Sequence, residues 1–171
     1  MTTSNFCILE ENIFSEVRQE NTTGNHSLFA KKLFLKDDLI SPFFAGDILE
    51  QPTYLTVQVG HDKHITLRPQ FLQYINHSCS PNAFFNTTNY QLIALRDIQE
   101  GEEIVFFYPS TEWEMSQPFQ CHCNQPNCLG LIKGASQIDT HILEQFQLTD
   151  FIKNKILEKK QHEYFKTISV A

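Results

Sequence analysis

The chain is expected to fold as a mainly β domain closed by C-terminal helices, an α+β arrangement. Three observations lead there. Between Ser27 and Val59 the apolar runs are short and closely punctuated by turn signals. Between residues 109 and 134, cysteine, proline and glycine crowd a segment with too few apolar residues to build its own core. Beyond Ala135, apolar residues recur at helical spacing. A length of 171 residues suffices for one domain with a real core and is too short for two comfortable ones.

Residues 1–23 are polar, with apolar pieces at Phe6, Ile8 and Leu9 and at Ile13 and Phe14, and predict an opening strand and a turn. Strand-like runs follow at 28–30, 33–35, 48–49 and 54–59. Lys36-Asp37-Asp38, Ser41-Pro42, Ala45-Gly46-Asp47 and Gly60-His61-Asp62 separate or end them. Residues 54–59 alternate with the period of a half-buried strand. Residues 69–75 predict a short helical turn with Pro69 near its start. Residues 83–85 and 91–95 predict a hairpin joined through Asn86-Thr87-Thr88-Asn89, and 104–108 a buried strand that Pro109 ends. Asp139 is the expected cap of a helix carrying Ile142, Leu143 and Phe146. Thr149 or Asp150 caps a second one, with Ile152, Ile156 and Leu157 on one face.

A net charge of −7 disfavours nucleic acid as a partner, since a phosphate backbone demands Lys/Arg clusters. It suits a basic partner such as a lysine-rich peptide. No apolar run reaches the roughly 20 residues needed to span a bilayer, and residues 1–11 carry no secretory signal pattern. Five cysteines, three of them within eight positions, argue for a metal site in a reducing, intracellular compartment rather than a disulfide framework. With no long basic run, the cytoplasm is expected over the nucleus. The oligomeric state is not set by the sequence.

Cys121-x-Cys123-x4-Cys128 places three thiols in one short loop. Zn²⁺ takes four ligands in a tetrahedron, so a fourth must come from elsewhere. Cys79, His122 and Cys7 are the candidates. His122 lies between two ligands on a short tether.

Upstream stands Asn76-His77-Ser78-Cys79-Ser80-Pro81-Asn82, followed by Gly101-Glu102-Glu103-Ile104 leading to Tyr108. In this order, and with the cysteine triplet behind them, these segments resemble the SET-domain lysine methyltransferases that carry a zinc-binding post-SET motif. The resemblance covers roughly residues 25–134. It implies a SET-type β-clip of small curved sheets with knot-like threading. The catalytic domain would span 1–108, the post-SET zinc segment 109–134 and a helical extension 135–171, together one globular unit.

The resemblance also implies Cys79 as the fourth zinc ligand beside Cys121, Cys123 and Cys128. It implies S-adenosylmethionine as methyl donor, and a lysine-containing protein or peptide, with histones among the candidates, as substrate. By motif position, Asn76 and His77 contact the donor, and Leu129 belongs to the segment closing over its adenine. Asn25, Ser27, Leu28 and Phe29 form the N-terminal cofactor loop. Tyr108 is the catalytic tyrosine. Phe106 holds the position that influences how many methyl groups are added, and a Phe there resembles enzymes capable of di- or trimethylation. The implied reaction is direct in-line transfer to a neutral lysine amine in an aromatic channel. One departure stands out: the family's Gly-x-Gly appears here as Asn25 and Ser27, beside Gly24. That departure motivates an alternative, a catalytically inactive zinc-stabilised module that binds a basic peptide or partner protein. A third reading is a purely structural zinc protein. Trp113, between Glu112 and Glu114, reads either as a cleft border or as a packing ring.

Overall fold

The computed structural model describes residues 5–168. The chain opens with β1 (Phe6–Glu11), β2 (Ser15–Glu20) and β3 (His26–Ala30), an antiparallel meander. β4 (Leu39–Pro42) leaves for another sheet. β5 (Phe44–Leu49), β6 (Thr56–Gly60) and β7 (Lys63–Arg68) make a second three-stranded sheet with β7 in the middle. A 3-10 turn at Gln70–Tyr74 leads into β8 (Asn76–His77). β9 (Ala83–Asn86), β10 (Gln91–Ala94) and β11 (Val105–Phe106) then complete a five-stranded sheet ordered β4-β10-β9-β11-β8. A 3-10 turn at Tyr108–Ser110, the short pair β12 (Phe119–Gln120) and β13 (Leu131–Ile132), a further 3-10 turn at Ala135–Gln137, α1 (Thr140–Leu143) and α2 (Asp150–Ile168) finish the fold. The small sheets and closing helices are the mainly β, α+β class that the sequence predicts. No helix among the described residues is long and apolar enough to cross a membrane.

Several strands differ from expectation for physical reasons. β2 and β7 carry charged residues along much of their length, so they lack a continuous apolar run. Their buried members are Ser15 and Val17, and His64, Ile65 and Leu67. Residues 33–35 do not form a strand. Phe34 makes a single bridge to Ile98 while Leu33 and Leu35 stay exposed. Tyr54 lies before β6 in a turn and is exposed. Leu157 is exposed too, so the packing face of α2 consists of Ile152 and Ile156 without it. Asp139 does cap α1, accepting the His141 N–H at 2.8 Å, but that helix lasts one turn.

β11 organises the interior. Successive strand residues point to opposite sides. Phe106 therefore joins the main core, edge-on to Phe85 at 4.8 Å, while Phe107 enters a second core and stacks on Phe146 at 3.8 Å. That second core, with Leu143, Leu148, Ile152 and Ile156, fastens both C-terminal helices to the sheets. The chain returns to it through Gly134, where a side chain cannot fit. Its φ is +112°, and a Cβ would fall 2.6 Å from the Trp113 carbonyl oxygen. The close approach lets Ala135 and Ser136 donate to the carbonyls of Glu112 and Trp113, both at 2.9 Å.

Candidate functional site

Residues 76–82 begin as β8, the edge strand of the five-stranded sheet, and continue as a loop toward β9. β8 runs parallel to β11, with Asn76 opposite Val105 and His77 opposite Phe106. Asn82 is fully buried. Its Oδ1 accepts the Val105 N–H at 2.8 Å, and its Nδ2 donates to the Glu103 carbonyl at 2.8 Å and to Glu102 Oε1 at 3.3 Å. A polar side chain buried there is satisfied on both ends, and it locks the motif to the strand that leads to Tyr108.

Asn76 Nδ2 donates to the His26 carbonyl at 2.9 Å, Ser27 Oγ at 2.8 Å and Glu103 Oε1 at 3.0 Å. The departure at Ser27 thus has a structural role, because Ser27 supplies an acceptor that glycine lacks. Neither Asn25 nor Ser27 adopts a positive φ; that conformation falls on Gly24, at +74°. His77 Nδ1 accepts the Tyr108 N–H at 3.2 Å, which leaves the proton on Nε2, facing Cys79 Sγ at 3.3 Å. Burial lowers its pKa to about 4, so the ring is neutral.

Two cavities meet at Tyr108. The larger, about 1110 Å³, is a polar cleft bordered by Asn25, Ser27, Asn76, His77 and Glu103 on one side and by Cys121, His122 and Cys123 on the other. The smaller, about 280 Å³, is walled mainly by apolar side chains, among them Val57, Leu67, Ile75 and Phe106. Tyr54, Leu55, Gln73, Tyr108 and Phe119 line both. The Tyr108 hydroxyl donates to the Ile75 carbonyl at 3.3 Å. Burial, reinforced by the negative Glu103, pushes its pKa up to about 12, so it stays protonated. Its ring contacts Phe106 at 4.7 Å and His77 at 5.2 Å.

The thiols of Cys79, Cys121, Cys123 and Cys128 converge, with every Sγ within 4.8 Å of the others. A Zn–S bond of about 2.3 Å places tetrahedral sulfurs about 3.8 Å apart. Cys79 and Cys121 Sγ stand at 4.0 Å, so the donor set fits a four-thiolate zinc site. Of the three candidates for fourth ligand, Cys79 joins the triplet. His122 borders the polar cleft, and Cys7 is exposed on β1.

Other expected positions lie elsewhere. Leu28 is fully buried in the main core, and Phe29 packs under the Arg18 guanidinium at 3.8 Å. Neither borders the polar cleft, because β3 turns Leu28 inward and only its first residues reach the opening. Leu129 packs between the second core and the cysteine cluster, its N–H 3.4 Å from Cys79 Sγ, and is also absent from the cleft wall. Trp113 is a packing ring, set on the second core with Lys155 above it. Sequence reasoning missed His26, stacked on Tyr74 at 4.8 Å at the cleft, and Glu103, the carboxylate partner of Asn76. Glu103 sits in the Gly101-Glu102-Glu103-Ile104 segment that carries the resemblance, and that membership was the available signal.

A family model described as SET domain matches residues 8–109. The chain is 41% identical over 110 residues to Methyltransferase flvH of Aspergillus flavus, an alignment covering 63% of this chain and 61% of that protein. It is 32% identical over 114 residues to the Histone-lysine N-methyltransferase, H3 lysine-36 specific, of Saccharomyces cerevisiae, covering 63% of this chain and 15% of that one. The protein of the same description from Kluyveromyces lactis is 36% identical over 93 residues, 50% of this chain and 13% of that one. The chain therefore spans less than two thirds of the length of each of these curated relatives.

Proposed function

This chain belongs to the SET-domain family, and we propose that it is an S-adenosylmethionine-dependent N-methyltransferase acting on a protein lysine. The observation that carries this reading is the meeting of a polar cleft and an apolar cavity at one protonated tyrosine. The cleft holds the methyl donor and the cavity receives the lysine side chain. When bound, S-adenosylmethionine supplies a methyl group activated on a sulfonium. Asn25, Ser27, Asn76 and His77 form the cleft wall that binds it, and the 121–123 stretch covers the opposite side.

The chain's own contribution to the chemistry is mostly orientation and exclusion of water. The Tyr108 hydroxyl spends its proton on the Ile75 carbonyl, so its lone pairs are free to accept an amine N–H. That contact aims the nitrogen lone pair at the cleft for in-line attack. The apolar walls disfavour the ammonium form of the substrate. Phe106 carries no hydroxyl to crowd the nitrogen, which suits addition of more than one methyl group. Cys79, Cys121, Cys123 and Cys128 would hold zinc as a structural cross-link between the catalytic strands and the loop that closes the cleft. The net charge of −7 and the H3 lysine-36 relatives make a lysine-rich histone tail the first substrate to test.

Calorimetry of the zinc-loaded protein with S-adenosylmethionine, followed by transfer of labelled methyl to histone peptides and a proteome lysate, tests this reading. Binding and transfer are expected, with Tyr108→Phe lowering the rate by about 100-fold while donor affinity holds. Full activity in that variant would remove Tyr108 from the mechanism. A second reading, a zinc-stabilised module without catalysis, is favoured by one observation: Ser27, His26 and Glu103 already occupy the Asn76 amide. It predicts no donor binding.

A further inference from the structure

Glu112 is a buried carboxyl that the mechanism above leaves unused. It follows Tyr108 by one turn, is 6% exposed and lines the apolar cavity. One of its oxygens is saturated: Oε1 accepts the Gln58 N–H at 2.7 Å and the Thr111 hydroxyl at 3.1 Å. The other, Oε2, accepts no hydrogen bond among the described residues. The nearest basic atom to it is His64 Nδ1 at 3.8 Å, beyond hydrogen-bond reach. His64 is itself buried, and its Nδ1 has no partner. His64 Nδ1 is thus a buried polar atom without a partner, and Glu112 Oε2, which it faces, accepts no hydrogen bond at the wall of an apolar cavity. The bonds to Oε1 give that oxygen a structural role, since an apolar side chain would strand the Gln58 N–H, but they give Oε2 no partner. Buried polar groups left unsatisfied at a cavity wall are candidates for work done when a ligand arrives.

We propose that Glu112 is the proton acceptor that neutralises the substrate's ammonium inside the apolar cavity. The inference rests on the lysine-methyltransferase reading above. An N–H bond of the ammonium breaks and its electron pair stays on nitrogen. An O–H bond forms at Glu112 Oε2. Two charges vanish together, which suits an apolar enclosure better than the ion pair they replace. The neutral amine then attacks and leaves as a methylated ammonium, and Glu112 returns its proton to solvent once the cavity opens.

Burial raises the Glu112 pKa to about 7, where a carboxyl is basic enough to compete for such a proton and still ionised in part. The titratable neighbours are few. His64 faces Glu112 from β7 and is held neutral by burial, opposed by Asp62 in the adjoining turn. Tyr108 precedes it on its own segment, and Lys155 of α2 is engaged over the Trp113 ring. His64 is a positioning residue in this scheme, the polar backing behind Oε2.

The test uses n-pentylamine as a lysine side-chain probe and needs no identified substrate. In zinc-loaded protein labelled with ¹³C at glutamate carboxyls, the Glu112 signal is assigned by its loss in Glu112→Gln and followed at pH 8. Addition of n-pentylamine is expected to move it from the ionised toward the protonated position. The amine should bind Glu112→Gln at least tenfold more weakly, whereas 1-pentanol should bind both proteins alike. A carboxyl signal that stays ionised, or equal amine affinity in the two proteins, overturns the proposal. The carboxyl readout is made on the native protein, so a variant that folds poorly does not decide the outcome. Donor calorimetry on the same samples separates the two claims. Failure to bind S-adenosylmethionine refutes the methyltransferase reading, and an unresponsive carboxyl refutes the role of Glu112 alone.

Discussion

Residues 76–82 and residues 121–128 both contribute thiols to the same cluster, yet they are held in opposite ways. The first segment is built into the sheet. β8 is paired to β11, the Ser78 N–H reaches the Phe106 carbonyl at 3.0 Å, and Asn76 and Asn82 anchor both ends. The second is mostly exposed and has little ladder of its own. The Cys121 N–H reaches the Gly130 carbonyl at 2.7 Å, the Cys128 N–H reaches the Gln125 carbonyl at 3.0 Å, and Asn127 donates to the Cys79 carbonyl at 2.6 Å. One wall of the cleft owes its shape to backbone pairing. The other depends on what its sulfurs bind. Metal should therefore control closure of the site without controlling the fold of its catalytic strands.

Zinc removal should produce the largest effect. Binding to a structural thiolate site is worth about 10 kcal/mol or more, and that stabilisation falls almost wholly on the loop. A chelator should abolish hydrogen-exchange protection across 121–130 and leave β9, β10 and β11 protected, while methyl transfer drops at least tenfold. Simultaneous loss of protection in both regions would break the comparison. Next comes Asn82→Ala, which strands a buried N–H and a carbonyl and should cost roughly 3 kcal/mol in denaturant unfolding. Zinc content should persist, because the thiols do not rely on that amide.

Glu112→Gln, outside both regions, has a comparable effect that depends on pH. The folded carboxyl keeps its proton up to about pH 7, whereas an unfolded one gives it up around 4.5. Between those values the folded state binds more protons, so this group makes stability fall as pH rises and level off above 7. The variant lacks that penalty. Its advantage over the native protein should be absent at pH 4 and reach about 3 kcal/mol by pH 8, read as a difference in unfolding free energies. The smallest effect belongs to Cys7→Ser. This exposed thiol should change stability by less than about 0.5 kcal/mol and zinc stoichiometry not at all.

What could be read in advance follows the same division. Residues 76–82 and the cysteine triplet were legible because their chemistry is written in contiguous, unusual residues, and a thiol requirement of four points outward from three. The hairpin of β9 and β10 and the capping by Asp139 were legible from local patterns. β2 and β7 were not, since Glu16, Arg18, Lys63 and Arg68 dilute their apolar content, and pairing to neighbours decides their state. The apolar cavity was not legible either. Val57, Gln73, Glu112 and Phe119 come from four separate segments and share no motif. Leu28 and Phe29 do not line the polar cleft, because a motif fixes a position along a strand and not which way each side chain turns.

The place of β11 has a consequence for how the protein is made. It lies between β9 and β8, both of which precede it in the chain. Synthesis delivers those two neighbours to the ribosome exit first, and the strand that joins them some twenty residues after β9. Until residues 105 and 106 emerge, β8 and β9 present unpaired edges, the kind of surface that recruits other chains. The sheet is completed from its middle, so its assembly waits on the same stretch of chain that ends in Tyr108. A nascent chain interrupted before that point would be prone to aggregation and could contain neither a finished sheet nor a finished site.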